Sequence, residues 1–534
     1  MQSPSVLPSV LKFTKSSVLK LNHWYIAPLV FAVSLLAQTP AAPAPLMFRV
    51  TLSPQADKQY ASGRMIVVLS SKPPGNGDMY APQSPDAAFM WLAAQEVRHW
   101  QPGSRVDIDA DALAFPAPLS QAPAGDYYAM ALLDVDHNAA YQFASSGDLY
   151  SKIVQLKAFD PAKAPPVELT LTERVPLENP GVAGPTLPRN ADRLDFVSPV
   201  LSKFWGRDIH MRGVVLMPPG YATSGIRYPT VYWTHGFGGN MWSIEHKIAP
   251  RYAELLSTGK LPPMIYVLLD ESCPAGTHEF ADSVNNGPWG TALTKELIPH
   301  LEKRYRMTGV SRGRFVTGHS SGGWAALWLG VTYPDVFGGT WPTAPDPSDF
   351  RNFTGPNLRA RPVQNFYRKA DDSPWMLVRV GGKEVESVEQ FARQERVLGE
   401  YGGQMTSFEW VFSPRGEDGR PQQLFDRDTG AIDPVVEDAW EKYDIAQMIR
   451  AHAGVLKPKL QDHIHLYVGT ADTFHLDESA RLLEQTLKEL GIRAEFTFIE
   501  GRTHSDLYEG GLIERIAREM EAVAHPAATT RRQP

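Results

Sequence analysis

One short segment of the sequence combines serine with closely spaced glycines. Residues 318–322 read Gly-His-Ser-Ser-Gly, which fits the G-x-S-x-G pattern of a serine lifted above a sheet on a strained strand-to-helix turn. Such a turn leaves no room for side chains two positions before and after the nucleophile. Ser320 has glycine at both of these positions, whereas Ser321 has His319 two positions behind it. The pattern predicts that Ser320 is the nucleophile of an acyl-transfer reaction.

A nucleophilic serine needs a general base, and the base needs a carboxylate that orients it. Downstream, Asp472 follows the apolar run 463–468, and His504 follows the run 494–499. Hydrolases built on this turn carry their triad in the chain order serine, acid, histidine. We therefore predict His504 as the base and Asp472 as its orienting acid. Three nearby residues stay open as alternatives, namely Asp477 or Glu478 as the acid and His475 as the base.

The tetrahedral intermediate of acyl transfer needs two preorganised donors at its oxyanion. One donor is expected to be the backbone N–H of Ser321, the residue after the nucleophile. The second is expected from residues 235–239, His-Gly-Phe-Gly-Gly, whose glycines let the backbone approach a ligand closely. Within this loop we predict the N–H of Phe237 as the donor, with that of Gly238 as the alternative.

The elements that must position these groups are strands alternating with helices. Strand-like runs lie at residues 213–217, 230–234, 264–269, 314–317, 463–468 and 494–499. Helical periodicity is present at 293–305, where leucines recur every four residues, and at 478–490, which ends at a glycine. Strands joined by helical crossovers indicate a mostly parallel sheet covered on both faces, that is, an α/β domain.

The part of the chain before this domain has a different pattern. Residues 45–175 contain short alternating or apolar runs separated by Gly, Pro, Asn and Asp, which predict a smaller all-β, sandwich-like domain. The Pro- and Gly-containing residues 176–195 are typical of a linker. The α/β domain then extends over residues 196–525 and contains an insert at about 346–460.

The first forty residues have the composition of a secretory signal peptide. Lysines precede an apolar run at 25–37, and small residues and prolines follow it. The run is shorter than the roughly 20 apolar residues that span a bilayer. We expect residues 1–40 to be a signal peptide and the mature chain to be exported, to the periplasm or outside the cell, without an integral membrane span.

Several motifs together resemble the putative esterase family of α/β-hydrolases. The segments are residues 216–221 (Leu-Met-Pro-Pro-Gly-Tyr), 228–236, 296–302, the serine turn itself and 501–504 (Gly-Arg-Thr-His). The resemblance implies an α/β-hydrolase fold, ester chemistry without a cofactor, and a triad of Ser320, Asp472 and His504. The insert and the β-rich domain lie outside the shared region, so we expect them to determine the choice of substrate.

Composition and two weaker motifs limit the other classes of function. The net charge is −7, which argues against a nucleic-acid partner, and the single cysteine, Cys273, excludes a disulfide within the chain. Residues 134–138 (Asp-Val-Asp-His-Asn) begin like a calcium loop but lack its glycine and its closing glutamate, so a turn is favoured. His463 and His465 could share a metal, but no third ligand can be named, and no metal site is predicted.

These observations favour an exported serine carboxylesterase acting on a small-molecule or polysaccharide-linked ester. An acyltransferase using the same triad, with an alcohol in place of water, stays open. A peptidase carrying a β-propeller is disfavoured, because roughly 130 β-rich residues are too few for one. A non-catalytic polysaccharide-binding protein is the remaining alternative.

Overall fold

The computed structural model describes residues 45–74, 90–176 and 186–526, which belong to one compact unit. The predicted signal peptide lies outside these residues. Within the described residues, no helix is long and apolar enough to cross a membrane.

The N-terminal part of the described chain is a nine-stranded sheet with the order β4-β1-β9-β7-β6-β2-β3-β5, and β8 pairs with β6. Its strands are β1 Met47–Leu52, β2 Ala61–Ser70, β3 Met90–Trp100, β4 Arg105–Asp109, β5 Ala114–Phe115, β6 Gly125–Asp134, β7 Leu149–Ser151, β8 Val154–Phe159 and β9 Val167–Arg174. The long strand β3 was not among the predicted runs.

Both faces of this first sheet are covered. On one face Phe48, Val50 and Leu52 alternate inward from β1 and pack with Met65 and Val67 of β2. On the other face, apolar residues of β2, β3 and β6 pack against Val397 and Leu398 of the insert. The strand residues of this buried cluster include Ile66, Val68, Leu92, Met130 and Leu132. Residues Met65–Leu69 of β2 are therefore all apolar, because the strand is buried from both sides.

A second sheet of eight strands within the described residues carries the predicted site, in the order β10-β11-β13-β12-β18-β19-β22-β23. The strands are β10 Ala191–Val197, β11 His210–Leu216, β12 Thr230–Thr234, β13 Ile265–Leu269, β18 Arg314–His319, β19 Gly339–Thr343, β22 His465–Gly469 and β23 Glu495–Ile499. Strand β11 pairs antiparallel with both β10 and β13, and all other neighbouring strands of this sheet pair parallel. This arrangement is the α/β-hydrolase fold, and its first strand begins inside the predicted linker.

Short ladders lie beside the two sheets: β14 Ser272–Cys273 with β15 Gly276–Thr277, β16 Asp282–Ser283 with β17 Gly287–Pro288, and β20 Met376–Val380 with β21 Lys383–Ser387. The last of these belongs to the insert.

The helices cover both faces of the second sheet, and five of them, α7 to α11, lie in the insert. They are α1 Pro199–Trp205, α2 Met241–Ser243, α3 Ala249–Ser257, α4 Trp289–Thr291, α5 Ile298–Arg304, α6 Ser321–Thr332, α7 Val388–Leu398, α8 Gln404–Phe412, α9 Pro434–Trp440, α10 Ile445–Ala451, α11 Ala453–Leu456, α12 Leu476–Leu490 and α13 Leu512–Ala524. A π-helical segment, Ala292–Leu297, joins α4 to α5, so the predicted helix at 293–305 is one continuous helical stretch with buried Leu293, Leu297 and Leu301.

The insert shares its core with the α/β domain. Phe408, Phe412 and Trp440 of the insert belong to the same buried cluster as Trp324 of α6. Phe412 contacts Trp324 with ring centroids 5.1 Å apart. Trp324 is therefore a core residue, and most of the insert's aromatic residues stabilise its attachment to the sheet rather than facing a substrate.

Candidate active site

Ser320 occupies a strained turn at the end of β18. Its φ of 59° and ψ of −123° lie outside the regions that side chains favour, and α6 begins at the next residue. A Cβ on Gly318 would lie 2.2 Å from the Gly322 carbonyl oxygen, and one on Gly322 would lie 2.3 Å from the His235 carbonyl oxygen. Only glycine fits at either position, as the spacing predicted. The turn leaves the Ser320 side chain near the carboxyl edge of the sheet.

The predicted base and acid are joined by a hydrogen bond. His504 Nδ1 lies 2.9 Å from Asp472 Oδ2, across the loops that follow β23 and β22. The other carboxylate oxygen, Oδ1, accepts the backbone N–H groups of Phe474 and Leu476. Burial raises the pKa of Asp472, but the hydrogen bond from His504 and these amides outweigh it and hold the pKa below its ordinary value. Asp472 is thus an ionised, fully buried carboxylate that orients the imidazole.

The alternative acids and the alternative base have other partners. Asp477 pairs with Arg379, and Glu478 accepts a hydrogen bond from Asn352. His475 lies 3.1 Å from Glu384 through its Nε2. None of these contacts reaches His504, so the geometry favours the pair that the chain order predicted.

Arg379, on strand β20 of the insert, braces the acid from outside the sheet. Its guanidinium donates to the backbone carbonyls of Asp472, at 2.7 Å, and Thr470, at 3.2 Å, and also pairs with Asp477. Sequence reasoning did not find this residue, because arginines are frequent in the insert and nothing local distinguishes this one.

The residues predicted as the oxyanion loop form a tight turn beside the nucleophile. The Gly239 N–H donates to the Gly236 carbonyl at 3.1 Å, with Phe237 and Gly238 at the centre of the turn. A Cβ on Gly236 would lie 3.0 Å from the Ser320 Cβ. Among the described residues the Phe237 N–H has no hydrogen-bond partner, as a donor kept for a ligand requires.

His235 fixes the start of this loop. Its Nε2 lies 3.0 Å from Asp270 Oδ1, and its Nδ1 lies 2.8 Å from the Gly236 carbonyl. Burial lowers the pKa of His235, but the hydrogen bond to Asp270 and the neighbouring Glu271 outweigh it and leave the pKa raised. The imidazole is therefore a structural bridge between the loop and the end of β13.

The hydroxyl of Ser320 donates to Asp346 rather than to His504. Its Oγ lies 3.4 Å from Asp346 Oδ1, and the Oγ of Ser321 donates to Asp346 Oδ2 at 2.7 Å. His504 is nearby, since its ring centroid lies 4.4 Å from that of His319. Catalytic hydrogen bonds are often long in unliganded enzymes and form when substrate binds. Asp346 was predicted only as the first residue of the insert, and its contact with the nucleophile was missed.

Two more carboxyl groups are buried beside Asp346. Burial raises the pKa of Glu271, Glu279 and Asp346 above their ordinary values, and neighbouring carboxyl groups raise the pKa of Glu271 and Glu279 further. One oxygen of Glu271 and one of Glu279 have no hydrogen-bond partner among the described residues. Because the pKa of each group is raised in the folded protein, the fold loses stability as the pH rises.

Comparison with known proteins identifies the family. The family model of putative esterases matches residues 205–512, more than half of the chain.

The chain belongs to the putative esterase family.

The predicted resemblance is thereby confirmed. An iron(III) enterobactin esterase of Escherichia coli strain CFT073 is 29% identical over 100 residues, which is 19% of this chain and 24% of the relative. An esterase of Mycobacterium tuberculosis is 34% identical over 122 residues, which is 22% of this chain and 25% of the relative. The chain thus spans about a quarter of the length of these relatives.

Two solved structures of esterases are also similar. A ferulic acid esterase aligns with a TM-score of 0.39 at 14% identity, over 62% of this chain and 98% of that one. An S-formylglutathione hydrolase of Agrobacterium tumefaciens aligns with a TM-score of 0.37 at 14% identity, over 62% and 94%.

A cavity of about 1160 Å³ lies where the β-rich domain, the esterase domain and the insert meet. Aromatic residues from all three parts line it, among them Tyr141, Trp205, Trp289, Tyr401 and Trp410. Its wall also includes Asn240 and Asp270, which flank and brace the oxyanion loop. The β-rich domain and the insert therefore form much of the concave surface near the Gly236–Gly239 turn.

The calcium-like motif is a turn held by its own carboxylates. Asp134 accepts the backbone N–H groups of Asn138 and Ala139, and Asp148 accepts those of Val135 and Ser145. The carboxylates of Asp134, Asp136 and Asp148 nevertheless offer oxygen atoms within 4.8 Å of one another.

The sequence also singled out three further residues, two histidines and one cysteine. His463 bonds the Gly330 carbonyl while His465 bonds Glu495, so the two rings have separate partners. Burial raises the pKa of the Cys273 thiol to about 12, which makes it unreactive.

Proposed function

We propose that this protein is an exported serine carboxylesterase that works through an acyl-enzyme on Ser320. The observation that carries the proposal is the hydrogen-bonded pair of His504 and Asp472 at the sheet edge where the strained turn presents Ser320. Membership in the putative esterase family supports the same chemistry.

The reaction begins when the hydroxyl of Ser320 turns from Asp346 toward His504 Nε2. As Oγ attacks the ester carbonyl, its proton passes to His504, and the buried carboxylate of Asp472 stabilises the imidazolium. The N–H groups of Phe237 and Ser321 bind the oxyanion. His504 then protonates the departing alcohol, and a water molecule activated by the same imidazole releases the acid.

Substitution of the two adjacent serines tests this mechanism. We expect Ser320→Ala to lower kcat for a short aryl ester by about 10⁴-fold or more, since it removes the nucleophile. Ser321→Ala keeps the backbone N–H, so its loss should be at most about 10-fold. A fluorophosphonate probe should add its mass at Ser320 in the wild type and in Ser321→Ala. Full activity in Ser320→Ala would refute the proposal.

Hydrolysis and acyl transfer differ in whether water or an alcohol accepts the acyl group, so the reaction products distinguish them. Adding a sugar or simple alcohol to the assay should leave the free acid as the main product if water is the natural acceptor. A dominant acylated acceptor at low alcohol concentration would instead assign the same triad to an acyltransferase.

Export rests on the sequence of the first forty residues. Expression of the whole chain in a bacterium should yield a protein whose N-terminus begins between residues 38 and 45, in the periplasm or medium. Recovery of the full-length chain in the cytoplasm alone would contradict this part of the proposal.

A further inference from the structure

The β-rich domain reaches the predicted oxyanion loop through one side chain. Tyr141 lies in the connection between β6 and β7, and its hydroxyl donates to the Gly239 carbonyl. Its ring also packs edge-on against Phe237, with centroids 5.0 Å apart at 83°. The same side chain thus holds the last residue of the Gly236–Gly239 turn and the residue predicted to donate to the oxyanion.

The connection that carries Tyr141 is itself tightly held. The carboxylate of Asp134 accepts the N–H groups of Asn138 and Ala139, and the Asn138 carbonyl accepts the N–H of Tyr141 at 2.9 Å. On the other side the insert is closely packed, since a Cβ on Gly402 would lie 3.1 Å from the Tyr141 Cβ. The backbone and side chain of Tyr141 are therefore held in one position by the surrounding contacts.

The turn depends on this contact for its position. Among the described residues, the Gly239 carbonyl accepts a hydrogen bond only from Tyr141. The orientation of the turn sets the direction of the Phe237 N–H, and an oxyanion donor acts only when it is already aimed at the developing charge. A shift of about 1 Å in such a group can cost about 10²-fold in rate.

We propose that Tyr141 is a positioning residue of the oxyanion hole, through which the β-rich domain sets the alignment of the Phe237 N–H. This inference rests on the proposed serine esterase mechanism. It gives the β-rich domain a part in catalysis that acts through the position of the Phe237 N–H, in addition to any part in substrate choice.

The test compares two buried tyrosines of the same domain. Tyr141→Phe removes only the hydroxyl and keeps the ring against Phe237. Tyr127→Phe is the matched control, because the Tyr127 hydroxyl also donates to a backbone carbonyl, that of Pro123 at 2.7 Å, within the β-rich domain. Both variants lose one buried tyrosine hydrogen bond, and thermal unfolding measures the stability change in each.

Three measured values distinguish a loss of oxyanion-hole alignment from a loss of stability and from a loss of substrate binding. For Tyr141→Phe we expect kcat, per site titrated with fluorophosphonate, to fall about 10-fold, with KM within about twofold of wild type. The inhibition constant of a trifluoromethyl ketone, whose hemiketal oxyanion occupies the hole, should rise by a similar factor. Tyr127→Phe should leave both values unchanged.

Two results would overturn the inference. One is a Tyr141→Phe variant with wild-type kcat and ketone affinity, and the other is a rise in KM at constant kcat, which would make Tyr141 a substrate contact. Neither result affects the proposed role of Ser320, which the Ser320→Ala variant tests separately.

Discussion

The edge of the α/β sheet and the segments outside it contribute to the site in different ways. The sheet edge carries the groups that would react, Ser320, Asp472 and His504, each at the end of a strand. The insert and the β-rich domain carry groups that bond to the loops beside those residues: Arg379 bonds to the Asp472 carbonyl, and Tyr141 bonds to the Gly239 carbonyl.

The two regions also differ in how their residues are connected. The reacting groups are fixed by short backbone motifs, such as the glycines that flank Ser320. The supporting groups act across 90 or more residues of sequence through single side chains that bond to backbone carbonyls. Short sequence motifs thus fix the backbone that carries each predicted reacting group. The alignment of the loops around these groups depends on long-range contacts.

The largest expected effect lies on the sheet edge. Asp472→Asn keeps the size of the side chain but lets His504 adopt the wrong tautomer, and we expect kcat to fall about 10⁴-fold. Asp477→Asn, at the alternative acid, should change kcat by less than about threefold. Steady-state kinetics with a short aryl ester measures both variants, and the reverse order of losses would assign the acid to Asp477.

A smaller effect is expected in the insert. Arg379→Met removes the donors to the Thr470 and Asp472 carbonyls, so the acid loop should shift and kcat should fall about 10-fold. Arg393→Met is the control, since Arg393 is also in the insert but its ion pair among the described residues is with Glu389 of its own helix. Equal kinetics in the two variants would show that the insert does not support the acid.

The smallest effect concerns stability at the sheet edge. Glu271 has a raised pKa in the folded protein, so between its unfolded pKa of about 4.3 and the raised value the folded state holds the extra proton. The free energy of unfolding should therefore decrease as the pH rises through this window. Glu271→Gln should remove about 1 kcal/mol or more of that decrease, measured by urea unfolding at pH 5.5 and 8.5.

The exposed Glu417 provides the control for this measurement. Glu417→Gln should leave the pH dependence of stability as in the wild type. If Glu271→Gln does the same, the buried carboxyl groups do not destabilise the fold at high pH.

Elements with strong local patterns were predictable, and those set by tertiary contacts were not. The strand at residues 230–234 was predicted at its observed bounds, because five consecutive apolar or β-branched residues between turn signals suit a buried parallel strand. Strand β3 was missed, since its second half alternates irregularly between charged and apolar residues. Asp346 could have been found from its place three residues after β19, because ligand sites of open α/β sheets lie at the carboxyl ends of the strands.

The sequence by itself determined the nucleophilic turn, the order of the triad candidates and the alternation of strands and helices. Each of these depends on residue types a few positions apart, where sterics and periodicity act directly. Only the tertiary structure decided that Ser320 bonds Asp346, that Arg379 braces the acid loop, and that Tyr141 reaches the oxyanion loop. Those contacts join residues far apart in the chain, and their geometry follows from how the sheets and the insert pack together.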